Sequence, residues 1–120
     1  MLTASCHCGA VRLEIDRKPR SLTACNCSLC RRYGVEWAYY TKKGVRVHAS
    51  AKALVAYAWG RRSIDFMHCR TCGCVVYYQR RQDLGDDTRV AVNARMMEPA
   101  DVAGIPVRLL DGAKTWKYLD

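Results

Sequence analysis

Apolar and polar side chains alternate with a period of two along most of this chain. That is the spacing of a strand with one face to a core and one to water. Ala10-Val11-Arg12-Leu13-Glu14-Ile15-Asp16 alternates without a break. Trp37-Ala38-Tyr39-Tyr40-Thr41 and Val45-Arg46-Val47-His48 read as a hairpin turning at Lys42-Lys43-Gly44. Residues 53–58, 63–67, 74–79 and 88–93 are each rich in β-branched or aromatic residues and bounded by glycine or charge. Residues 106–110 read as a short strand, Asp111-Gly112 as a turn, and Trp116-Lys117-Tyr118 as a last strand. Single helical turns are expected at 28–32 and within 96–103. No repeat or linker divides the chain. The pattern predicts an all-β fold of several short sheets with little helix, in one domain over residues 1–120.

Half of the residues are apolar, which excludes a disordered chain. No apolar run reaches the length needed to cross a bilayer. Residues 1–8 carry neither the apolar core of a secretory signal nor an Arg-rich amphipathic segment. The expected location is the cytoplasm.

Eight cysteines in 120 residues call for a disulfide framework or for metal. Export would favour disulfides, and no export signal is seen. The pairs Cys6/Cys8, Cys25/Cys27 and Cys72/Cys74 are separated by one residue, which on a strand places both on one face. Such a pair grips an ion more readily than it bonds to itself. The full pattern is Cys6-x-Cys8, sixteen residues, Cys25-x-Cys27-x₂-Cys30, thirty-eight residues, then Cys69-x₂-Cys72-x-Cys74. Cys8-Gly9 and Cys72-Gly73 resemble knuckles, in which glycine lets the backbone turn so that amide groups face the sulfurs. Two knuckles with two sulfurs each make a closed tetrahedral site, assigned to Cys6, Cys8, Cys69 and Cys72. Cys25, Cys27 and Cys30 are left to hold one side of a second ion. Its fourth position is either open to solvent and substrate or closed by another residue, Cys74 being the nearest candidate. Cys74 otherwise reads as a small buried residue, His48 as a surface residue, and His7 and His68 as neighbours of the ligands. An all-sulfur donor set also suits iron, but an isolated trio matches no four-cysteine cluster, so zinc is the expected ion, two per chain.

Charge adds one constraint. Twenty Lys and Arg stand against eleven acidic residues, a formal net charge of +9. Seven thiolates holding two Zn²⁺ lower it to about +6, still basic. The surplus falls in pairs, Arg31-Arg32, Arg61-Arg62 and Arg80-Arg81. These are either a solvated face or a place for an anionic small molecule or nucleic acid.

The run Cys6-His7-Cys8-Gly9-Ala10-Val11, then Cys25-Asn26-Cys27-Ser28-Leu29-Cys30-Arg31-Arg32, then Cys69-Arg70-Thr71-Cys72-Gly73, closing with Trp116, resembles the glutathione-dependent formaldehyde-activating enzyme family, which includes centromere protein V. The resemblance implies a β-tent, small antiparallel sheets pinned by zinc. It implies a structural ion on Cys6, Cys8, Cys69 and Cys72. A second ion on Cys25, Cys27 and Cys30 would keep a position free for a thiol. The activity implied is that of a carbon–sulfur lyase joining formaldehyde to glutathione as S-(hydroxymethyl)glutathione. Glutathione is anionic, and Arg31 and Arg32 beside the trio are the candidates to receive its carboxylates. Trp37, Tyr39 and Tyr40 either wall the site or belong to the core. No residue is marked by spacing as a general base. The competing readings are a basic zinc module that binds nucleic acid or another polyanion, with steep salt dependence, and a labile zinc or redox protein. No membrane partner is expected.

Overall fold

Leu13 and Ile15, the apolar beat of the first alternating segment, are fully buried in a strand, β2 (Arg12–Ile15). β1 (Leu2–Ser5) pairs antiparallel on one side of it, with Leu2 opposite Ile15. β5 (Val45–His48) pairs on the other, with Val45 opposite Ile15. These three form one sheet. The structure, a computed structural model describing residues 1–120, places the remaining strands in a second sheet of seven. In chain order they are β3 (Leu22–Cys25), β4 (Trp37–Thr41), β6 (Leu54–Tyr57), β7 (Ile64–Cys69), β8 (Val75–Arg80), β9 (Arg89–Asn93) and β10 (Val107–Leu110). Their spatial order is β10-β3-β4-β9-β8-β7-β6, antiparallel throughout except for the parallel pair β10–β3. Helix is confined to α1 (Ser28–Tyr33), α2 (Pro99–Val102) and a few 3₁₀ turns. No helix is long and apolar enough to cross a membrane.

The all-β expectation holds, with four corrections. Residues 37–41 and 45–48 are strands but not a hairpin. A 3₁₀ turn over Lys42–Gly44 carries the chain from the seven-stranded sheet to the three-stranded one. Residues 116–118 make only one bridge, Tyr118 to Leu110. β1 and β3 arise from four-residue segments, LTAS and LTAC, with no readable alternation. One strand pair is parallel, where the tent of small sheets implied antiparallel pairing throughout.

Period two then sorts the large sheet into two faces. Ala38, Tyr40, Tyr77, Val90 and Val92 join Leu13 and Ile15 of the small sheet in a core that also holds Cys6 and Cys69. Trp37, Phe66, Tyr78 and Ala91 turn the other way and pack with Val35, Cys27 and Cys30. In that second cluster Trp37 meets Tyr78 edge-on at 4.9 Å, and Phe66 lies 5.4 Å from the same ring. Such edge contacts add directional attraction to simple burial.

Leu13 spans the contact between the sheets with none of its surface in water. Leu13→Ala is expected to lower unfolding free energy by about 3 kcal/mol. Urea titration of the metal-loaded protein, with unchanged m-value, checks it.

Candidate metal centres

Cys6 and Cys8 occupy the turn that leaves β1, and Cys69 ends β7, with Cys72 in the turn before β8. Their four sulfurs lie within 4.8 Å of one another. Cys8 Sγ is 3.7 Å from Cys6 Sγ and 3.6 Å from Cys69 Sγ. A tetrahedron with Zn–S bonds of about 2.3 Å has edges of about 3.8 Å. The donor set therefore fits a tetrahedral ion that prefers sulfur. Backbone amides face it, as the knuckle reading requires. Val11 N–H donates to Cys6 Sγ at 3.3 Å, and the N–H groups of Cys74 and then Cys8 hold the Cys72 thiol down at about 5. Gly9 and Gly73 sit at φ 83° and 79°, backbone that other residues rarely adopt. Cys6/Cys8 and Cys72/Cys74 thus lie outside the strands, at turns and not on strand faces.

The second group is built around the start of α1. Cys25 ends β3, Cys27 is the N-cap, and Cys30 lies one turn in. Their sulfurs also fall within 4.8 Å of one another. The Cys27 sulfur accepts from Cys30 N–H at 3.3 Å, capping the helix. Trp37 Nε1–H donates to Cys30 Sγ at 3.4 Å. The Cys30 thiol donates to Cys25, which is held down at about 6, and the same bond together with burial pushes Cys30 up. Cys25 is thus the sulfur of this group most readily deprotonated, which favours metal capture.

Cys74 does not complete this group. It packs against the other face of the large sheet, with the thiols of Cys72 and Cys6 and the His7 amide around it. No other His, Cys, Asp or Glu joins the three sulfurs in a ligand group. Instead they open on a cavity of about 530 Å³. Trp37 and Tyr39 line it, while Tyr40 turns away and donates to Arg17 O at 3.0 Å. Arg31 and Arg32 are exposed on α1 and do not line the cavity; Arg32 donates to Ser28 O at 2.7 Å. The lining cation is Arg61, from the β6–β7 loop. No carboxylate or imidazole lines it. His48 is exposed on β5 against Glu14, and His7 and His68 join neither sulfur group.

Sequence reasoning named Trp116 only as the close of the motif run and missed the rest of the C-terminal contribution. β10 brings Leu110 into the cavity wall, and the following turn brings Gly112 and Trp116 against the trio. Asn26, between two of the cysteines, fastens that turn. Its amide donates to Asp111 Oδ1 at 3.1 Å and its Oδ1 accepts from Ala113 N–H at 2.9 Å. Any Cβ on Gly112 would collide with Cys25 Sγ, so close approach explains the glycine. The sequence signal was Asp111-Gly112, legible as a turn but not as a neighbour of residue 25.

Three outcomes follow. Native mass spectrometry is expected to count two zinc ions per chain, with Cys8→Ser losing one together with the cooperative fold and Cys27→Ser losing one while staying folded. A chelator should remove the trio's ion first, in a separate kinetic phase, because four sulfurs close the other site. Gly112→Ala is expected to weaken metal binding at the trio about tenfold, measured by competition with a chromogenic chelator.

The family model described as glutathione-dependent formaldehyde-activating enzyme matches residues 1–105. A crystal structure of a Rhodobacter sphaeroides protein is similar in both sequence and fold, at 32% identity and a TM-score of 0.70. That similarity covers 88% of this chain and 99% of the Rhodobacter chain. With the ordered cysteines gathered into two groups that could hold metal, the chain belongs to the glutathione-dependent formaldehyde-activating enzyme family.

Proposed function

We propose that the protein binds a thiol such as glutathione at a zinc ion held by Cys25, Cys27 and Cys30, and makes or breaks the carbon–sulfur bond of its hydroxyalkyl adduct with an aldehyde. The second ion, on Cys6, Cys8, Cys69 and Cys72, is structural. The observation that carries the reading is the trio's incompleteness: three sulfurs, no fourth protein ligand, and an open side on a cavity.

Zinc there would lower the pKa of a bound thiol into the neutral range. In the overall reaction the thiol sulfur bonds to the carbonyl carbon, and the carbonyl oxygen ends with the thiol's proton. The protein's own residues prepare this in three ways. The Trp37 indole N–H and the backbone N–H groups of Cys27 and Cys30 donate to the ligand sulfurs. These bonds spread the negative charge of the trio and fix its geometry. Arg61 receives a carboxylate of the thiol, the role that the resemblance suggested for Arg31 and Arg32. Burial holds the Tyr39 and Tyr78 phenols protonated, so both stay hydroxyl donors beside the cavity. With no carboxylate or imidazole in the wall, no separate general base is invoked.

Calorimetric titration of the zinc-loaded protein with glutathione tests this, with S-methylglutathione as control. Glutathione alone is expected to bind, and binding is expected to vanish in Cys27→Ser. Equal binding of both compounds, or of neither, would remove the open thiol site.

A further inference from the structure

Two indoles stand at the mouth of the cavity with much of their surface in water. Trp59, in the β6–β7 loop, is 41% exposed and Trp116, in the C-terminal turn, 65%. Both line the cavity whose floor is the cysteine trio. Neither ring belongs to an aromatic pair of the core, and Trp116 lies instead against Gly112 beside the trio. Large aromatic surface left in water forfeits the stabilisation that burial would bring.

The backbone under these rings is unusual too. Only two non-glycine residues of the chain have positive φ, Arg62 at 54° and Trp116 at 59°. One is Trp116 itself; the other lies three residues after Trp59, across Gly60 at φ 59°. Such conformations persist where the surroundings over-determine them, and they gather at ligand sites. At Trp116 the holding contact is its N–H to Asp111 O at 2.8 Å. Asp111 is in turn fixed by Asn26, the residue between two of the cysteines.

The chemistry inside the mouth matches its rim. Beyond the three cysteines the wall is largely aromatic and aliphatic, with Trp37, Trp59, Phe66, Trp116, Ile64 and Leu110, and Arg61 is its one charged side chain apart from the sulfurs. A hydroxymethyl group, one carbon and one oxygen, has no use for such a wall. The peptide part of glutathione carries two carboxylates and an ammonium, and Arg61 offers a partner to one of them, so the rest of that part belongs in solvent and not against the apolar wall.

We infer that the cavity selects an adduct whose aldehyde-derived part is an aryl or comparably flat hydrocarbon group, seated against Trp59 and Trp116, while Arg61 takes one carboxylate of the thiol. This rests on the thiol site proposed above. The polar part of the thiol then projects through the mouth into solvent. The substrate class is the hemithioacetal of a thiol with an aromatic or similarly apolar aldehyde.

The test compares benzyl mercaptan with 2-mercaptoethanol on the zinc-loaded protein, by calorimetry and by quenching of indole fluorescence. Benzyl mercaptan is expected to bind about thirtyfold more tightly. Trp59→Ala and Trp116→Ala are each expected to cut that ratio about fivefold, with zinc content reporting that the variants are folded. Trp116→Phe should recover part of the ratio. Equal affinity for the two thiols overturns the aromatic preference and leaves the thiol site standing. A preference that survives both alanine variants overturns the role of the tryptophans. Binding of neither thiol removes the preference and the thiol site together.

Discussion

Four sulfur atoms arriving from segments 61 residues apart, within 4.8 Å of one another, impose the condition on which this molecule rests. Deprotonated together they repel, and the backbone amides pointing at them offset only part of that charge. A cation between them turns the repulsion into a crosslink. The crosslink has a definite address. Cys6 and Cys8 follow a strand of the small sheet, while Cys69 and Cys72 flank a turn of the large one. Holding those turns together holds Leu13 and Ile15 against Val90 and Val92. A domain of this size has a modest apolar core, and an ion held by four sulfurs between its sheets would make up much of the difference.

The sheet between the two sulfur groups separates two kinds of chemistry. Residues of one parity serve a closed group and a buried aliphatic core, and residues of the other parity line an open group with aromatic walls. A one-residue slip of β4 or β9 would exchange them. Trp37 shows how tightly the second side is specified. Its ring is almost wholly buried, packs edge-on against Tyr78 and still places its N–H on Cys30. Position and polarity of that sulfur are thus set by a side chain that is also core.

Legibility in the sequence followed the range of the interaction. Alternation at 10–16, 37–41 and 88–93 is local, and those strands appear where the pattern puts them. Cysteine spacing is local as well, so the ligand groups could be sorted without coordinates. β1 and β3 escaped notice because four residues with mixed burial leave no periodic trace. The supposed hairpin at Lys42-Lys43-Gly44 failed because a turn signal does not say which sheet receives the next strand. Cys74 read either as a fourth ligand of the trio or as a small buried residue, and only the face of its sheet decides for the second. Trp59, Arg61, Leu110 and Gly112 reach the trio across long stretches of chain. No local pattern encodes that approach.

The parallel pairing of β10 with β3 sets an order of assembly. Parallel neighbours cannot be joined by a tight turn, and here Val107 must find Leu22 across most of the chain. Contacts of such separation carry a loop-closure cost and tend to form late. Residues 107–116 therefore complete the wall of the open group after the strands that precede them can already have paired. In a growing chain the four-sulfur group would be assembled while the trio still faced solvent, and closing the cavity wall becomes a late event of folding.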